Sequence, residues 1–308
     1  MHKNRSILRW LFIVFGPFLV LVVGLLARAD DHFSFDKIRP KERFSLQYSK
    51  PYSAQEMREM RAILAQSYTY LTEGHDTYLF VSKDGEYVIK FFNMKQMTPK
   101  YWLCHIPFPW LDENRLKNVE ERARARDELF RSVKIAFDSF RYQTGLMFTH
   151  LFKTDYLNMK VCVKDRWGIR HYIPVDEVPF VVQRRATPLK EHMQALLARH
   201  DEEEAIQSLC QILELVQEAC EHGFIEPSDR LEDHYGFLEG RAILMCGRLE
   251  PNPFLLREDR RLHEVFRVSR LLERWTKIHH PELLQRLQAE IQDILLVLEE
   301  EELVSARS

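Results

Sequence analysis

Cysteine is sparse and unpatterned in this chain. Five are spread over 308 residues, at Cys104, Cys162, Cys210, Cys220 and Cys246, an odd number with no Cys-x-x-Cys pair. That spacing excludes a disulfide framework and a zinc ribbon. Cys220 and His222 stand two apart and His279 and His280 are adjacent, but neither pair has a second half, so no metal site is expected. Excess charge of one sign is also missing. Lys and Arg number 44 against 46 Asp and Glu, for a formal net charge of -2. A general nucleic-acid binder carries a basic excess, so no nucleic-acid partner is expected. No internal repeat is evident. The length, with 45% hydrophobic residues, suffices for one or two domains with a sizeable core.

Charge itself is absent from one stretch, "WLFIVFGPFLVLVVGLLA" from Trp10 to Ala27. About 18 uncharged, mostly apolar residues lie near the lower limit for a helix that crosses the hydrocarbon core. Pro17 is tolerable there. Residues 1–29 therefore read as a retained single-pass anchor, with the membrane as a partner. The rival is a cleaved signal peptide, for which Ala27-Arg28-Ala29 offers a cleavage pattern, although the run exceeds the usual h-region. Lys3, Arg5 and Arg9 precede the run, and Arg28, Lys37, Arg39, Lys41 and Arg43 follow it. With basic residues on both flanks, the side on which the remaining chain lies stays open.

Residues 30–60 read as a polar juxtamembrane linker that runs into a helix. That helix, "SAQEMREMRAILAQ", opens on a capping Ser53 and has helical spacing at Met57, Met60, Ile63 and Leu64. Three short strands follow in "YLTEGHDTYLFVSKDGEYVIKFF", Tyr70 to Phe92, with Gly74 at the first break and Lys83-Asp84-Gly85 at the second. An aromatic and proline-rich insertion, "YWLCHIPFPWL", spans Tyr101 to Leu111. A long helix is expected from about Glu113 to Tyr142. Strand-like runs return at Leu146–Phe152, Met159–Asp165, Ile169–Val175 and Pro179–Ala186, with Asp165-Arg166-Trp167-Gly168 as a turn. Helices dominate from there, one ending at Gly223, and a β-like piece at Arg241–Leu249 interrupts them. The final helix is amphipathic with an acidic end, and packing on the helical part is its expected fate.

One lysine stands out. Val88, Lys90 and Phe92 share one face of the third strand, because side chains alternate. An ammonium among apolar neighbours calls for a carboxylate or phosphate partner, or it snorkels to water at a sheet edge.

The order of these elements resembles the protein-kinase-like superfamily, in which a glycine loop joins strands one and two and strand three carries a lysine in a "VAIK" pattern. Here "YVIKFF" supplies Lys90. The resemblance covers roughly residues 65 to 300. It implies an α+β, two-lobed kinase-like fold behind one N-terminal transmembrane helix. Residues 61–185 form the β-rich lobe with its long helix, and 186–304 the helical lobe. It also implies that Glu128 pairs with Lys90, with Glu121 and Asp138 as alternatives. Gln183 to Arg185 would lie beside an adenine, and Gly74 is the remnant of the phosphate loop. Asp229 or Glu226 would take the place of the catalytic base.

The departures from the pattern bear on activity. Only Gly74 remains where backbone N–H groups should approach phosphate, and Asp76 beside it repels phosphate. Counted back from Gly247, the metal aspartate falls at Met245, and the metal asparagine falls at His234. Neither thioether nor imidazole suits Mg²⁺, and without the metal positions phosphoryl transfer loses its main charge stabilisation. The expectation is a catalytically degenerate pseudokinase that acts as a binding or scaffold module for a protein partner. It requires no cofactor, although the cleft is one where ATP could still sit. The alternative is an active atypical kinase or small-molecule phosphotransferase that recruits Glu239 or Glu250 for metal. A further rival is an unrelated α+β membrane protein.

Overall fold

The structure is a computed structural model, and it describes residues 33–40, 51–74, 76–98, 112–245, 249–252 and 259–305. The Trp10–Ala27 run and the Tyr101–Leu111 insertion lie outside the described residues. No described helix is long and apolar enough to cross a membrane.

The fold is α+β. Helix α1 (Ala54–Leu64) starts on a capping box: Glu56 N–H donates to Ser53 Oγ at 3.2 Å, and Ser53 N–H donates back to Glu56 at 2.9 Å. Strands β1 (Ser67–Glu73), β2 (Thr77–Ser82) and β3 (Tyr87–Phe92) form a meander. The turn between β2 and β3 is held by Asp84, which accepts from Ser82 Oγ and Glu86 N–H, while Gly85 takes φ +80°. Helix α2 (Asp112–Ser139) leads to β4 (Leu146–His150), then to β5 (Lys160–Lys164), β6 (Arg170–Pro174) and β7 (Phe180–Arg184). These strands form one seven-stranded sheet in the order β4-β7-β3-β2-β1-β5-β6. Strand β5 runs parallel to β1, and the other neighbours are antiparallel.

The two faces of this sheet feed separate cores. Tyr68, Phe80, Ile89, Phe91, Val163 and Phe180 share one face, covered by α1 and the segment before it. Phe92, Val181 and Leu146 share the other, against Phe130, Val133 and Phe137 of α2.

The segment before α1 corrects one expectation. Within the presumed linker, Phe33 and Ile38 are buried. The Phe33 ring lies 4.8 Å from Phe80, 5.4 Å from Tyr78 and 5.4 Å from His171 of β6. One ring thus touches strands far apart in the order, so the sheet curls around it. Burying each of these two side chains stabilises the fold by roughly 1.5–3 kcal/mol. Residues 33–38 are core rather than linker.

After β7 come β8 (Thr187–Pro188), α3 (Leu189–Leu197) and α4 (Glu202–Glu221), then β9 (Phe224–Ile225), β10 (Tyr235–Leu238), β11 (Arg241–Leu244) and β12 (Glu250–Pro251). Helices α5 (Asp259–His279) and α6 (Leu284–Ser305) close the chain. Strands β8, β10 and β11 form one small sheet, and β9 pairs with β12. Helix α6 packs through buried Leu287 and Ile291, while Arg286 reaches Glu202 and Glu203 of α4.

Candidate functional site

Two of the expected site residues, Lys90 and Gln183, reach from the large sheet to the end of β11. Strands β1 and β2 pair antiparallel as far as Glu73 and Tyr78. Gly74 N–H donates to Thr77 O at 2.8 Å, and Asp76 O accepts from Asn93 N–H at 2.8 Å. The Gly74 N–H is therefore already engaged within its own turn.

Lys90 pairs with Leu79 on β2 and Val181 on β7. Its ammonium donates to the Met245 carbonyl at 2.5 Å, 155 residues away. Glu128 is exposed on α2, and no ion pair between it and Lys90 occurs among the described residues. Glu121 instead pairs with Lys117 at 4.0 Å, and Asp138 with Lys134 at 2.6 Å. Lys90 thus bonds a backbone carbonyl, and Glu128 is not the carboxylate beside it. The physical reason is direction: Glu128 points to solvent, while the neighbouring Leu129 and Phe130 take the buried face.

Met245 is fixed on three sides. Its carbonyl holds Lys90, its N–H donates to His234 O at 2.8 Å, and its thioether lies over Gly236 of β10. A Cβ at Gly236 would stand 2.6 Å from Met245 Sδ and 2.8 Å from Thr187 O. Only glycine fits a strand position approached that closely. Cys246 and Gly247 lie outside the described residues.

Gln183 is buried, and its amide donates to Thr144 O and, at 3.3 Å, to Leu244 O. It ties the sheet to the hairpin and does not present its donors to a cleft. Arg184 beside it pairs with Glu239 at 2.7 Å, so the carboxylate that an active enzyme would recruit for metal already has a partner.

The two candidate bases are separated clearly. Asp229 is 77% exposed and is held by Arg267 Nη1 at 2.7 Å. Glu226 is buried. Its Oε1 accepts from Ser228 N–H at 3.2 Å and stands 3.0 Å from His234 Nδ1. That second contact is not an aligned hydrogen bond, and His234 Nδ1 and Glu226 Oε2 both lack a hydrogen-bond partner among the described residues. Arg267 locks the arrangement, with a two-pronged bond to Glu264 at 2.7 and 2.9 Å and one to Glu226 O at 2.9 Å. Glu232 accepts from Trp275 Nε1 at 2.8 Å, so this part of the acidic turn is structural.

Burial pushes the Cys220 thiol up to about 12 and the Tyr235 phenol up as well, so both are neutral neighbours of Glu226. Cys220, Phe224, Glu226, Tyr235 and Glu264 line a small cavity of about 10 Å³. That is room for about one water, and Lys90 does not line it. Among the described residues no cluster of His, Cys, Asp and Glu could hold a metal ion.

Sequence reasoning missed Arg267, Glu264 and Gly236. The Glu264–Arg267 spacing of three on a helix is a readable pair signal, whereas the bond from Arg267 to Asp229 across 38 residues leaves no local trace.

No family model and no curated protein matches the chain. Among solved structures, a crystal structure of WbdD matches with a TM-score of 0.30 at 13% identity, covering 76% of this chain and 50% of that one. The chain spans half the length of that protein, and a likeness at this level fixes neither fold nor activity.

Proposed function

We propose that the chain is a kinase-like binding module without a working phosphoryl-transfer site, held at a membrane by residues 1–29. The observation that carries this reading is the Lys90–Met245 bond. The amine that would hold a nucleotide phosphate instead braces the hairpin, at the position where the resemblance would put a metal carboxylate. The strand order β4-β7-β3-β2-β1, with the long helix between β3 and β4, supports the kinase-like part. The self-bonded Gly74 turn and the Arg184–Glu239 pair support the degenerate part. What such a module offers is surface for a protein partner. Incubating the full chain with labelled ATP and Mg²⁺ tests the reading. The expected result is no transfer to the chain or to a generic acceptor, and transfer that disappears in Lys90→Met overturns it.

One observation favours a second reading. The buried Glu226 Oε2, which has no hydrogen-bond partner among the described residues, could serve as a proton acceptor, as an atypical phosphotransferase would need. Under that reading Glu226→Gln abolishes a magnesium-dependent activity that the first reading says is absent.

A further inference from the structure

The β5–β6 hairpin is the outermost part of the large sheet, and its chemistry departs from that of the rest of the chain. Between Lys160 and Pro174 stand four Lys or Arg and one acidic residue, Asp165, in a chain whose formal net charge is -2. Asp165 is buried. Its Oδ1 accepts from Trp167 and Ile169 N–H, each at 2.9 Å, and its Oδ2 lies 2.9 Å from His171 Nε2. The acid is thereby turned inward, which leaves the exterior basic. Lys160, Lys164, Arg166 and Arg170 are exposed or half-buried. Among them Trp167 is 65%, Tyr172 62% and Ile169 57% exposed. The Arg166 guanidinium lies 5.2 Å from the Trp167 ring centroid. Cross-strand pairs set Lys164 against Arg170 and Cys162 against Tyr172, so basic and aromatic groups share one face.

We infer that this basic, aromatic hairpin rests on the anionic phospholipid headgroups of the bilayer that holds the N-terminal anchor. The inference depends on the anchor reading above. Two arguments select this occupant. The first is tether length. The apolar run ends at Ala27, six residues before Phe33, and six residues reach at most about 20 Å. Phe33 packs against His171 of β6, and the neighbours of His171, Arg170 and Tyr172, are exposed. A chain anchored by that run therefore holds β6 close to the headgroup layer. The second is composition. Trp and Tyr are enriched at membrane interfaces, and basic clusters near an anchor are drawn to anionic lipid, each residue contributing roughly fivefold in partitioning. A second copy is a poorer fit, because like charges oppose it and Lys and Arg on an edge strand disfavour strand addition.

The test uses the full chain reconstituted into vesicles of phosphatidylcholine alone or mixed with phosphatidylserine, with brominated lipid as a quencher. The difference between wild type and Trp167→Phe isolates the emission of Trp167. The expected result is quenching of that emission in anionic vesicles, reduced several-fold in neutral ones and in K160E/K164E/R166E/R170E. High salt should reduce it as well. An alkaline wash reads out the anchor separately. If the chain is retained after the wash but Trp167 is quenched equally with and without anionic lipid, or not at all, the surface inference fails and the anchor stands. Binding of the hairpin to an acidic protein instead gives that outcome. If the wash releases the chain, the anchor reading fails and this inference fails with it.

Discussion

Replacing Lys90 by methionine removes the ammonium and keeps most of the apolar stem. The Met245 carbonyl then loses a donor at 2.5 Å in a partly buried site. Hydrogen bonds to charged groups contribute about 1.5–3 kcal/mol, so a loss of about 2 kcal/mol is expected. For a domain of this size each kcal/mol shifts Tm by about 2–4 °C, which gives a fall of about 4–8 °C. The assay is thermal and urea unfolding of the full chain and of Lys90→Met, with no nucleotide present. Lys90→Arg separates charge from geometry, because the longer planar fork cannot reproduce a single short bond to a carbonyl and should recover only part of the loss. An unchanged or raised Tm in Lys90→Met would refute the reasoning, since the amine would then not be bracing the hairpin.

Three other outcomes follow from the same geometry. Gly236→Ala places a Cβ 2.6 Å from Met245 Sδ and 2.8 Å from Thr187 O, and overpacking of this kind costs about 1–3 kcal/mol. Met245→Ala in the same chain should relieve only part of that in urea unfolding, because the Thr187 carbonyl is backbone. Asp165 gives a pH dependence. Burial raises its carboxyl, but the bonds from His171, Ile169 and Trp167 outweigh this and hold it below its ordinary value of 3.8. A depressed carboxyl stabilises the fold above its unfolded pKa, and that contribution is lost as pH falls through the folded one. The stability gap between wild type and Asp165→Asn should therefore hold at neutral pH and close only in acid below the ordinary value, and a gap that widens in acid would contradict the assignment. The Cys220 thiol, raised by burial from 9.0 to about 12, has about a thousandfold less thiolate at mild pH than an ordinary cysteine. Peptide mapping after brief alkylation should find half-buried Cys162 modified and Cys220 intact, whereas comparable labelling would place Cys220 in a more open setting.

Local signals in the sequence carried much of the architecture. The Ser53 cap, the Lys83-Asp84-Gly85 turn and the strand over Tyr87–Phe92 are each decided by neighbours a few residues apart, and each appears as expected. The long helix likewise matches its periodicity, within a few residues at its C-terminal end. What depends on distant partners was illegible. Phe33 and Ile38 sit in a polar stretch with no period, and only the curl of the sheet buries them. The parallel pairing of β1 with β5 joins segments about ninety residues apart, and no local pattern marks it. For Lys90 the sequence indicated a carboxylate or phosphate partner and gave no sign of the backbone carbonyl that the ammonium meets. A backbone carbonyl is an acceptor that every residue carries, so its use leaves no mark in the residue types. Asp229 and Glu226 looked equivalent as acids three apart, and only burial separates an exposed Arg267 partner from an enclosed carboxylate beside His234.

The most direct test of the degenerate-site account is a thermal-shift titration of the full chain with ATP and ADP, with and without Mg²⁺. A ligand at a hundred times its Kd stabilises the folded state by about 2.7 kcal/mol, well within detection. The account predicts no magnesium-dependent shift at millimolar nucleotide. A shift that requires Mg²⁺ and is lost in Lys90→Met would mean that Lys90 leaves Met245 to hold phosphate and that a metal site is built from other residues, which contradicts it.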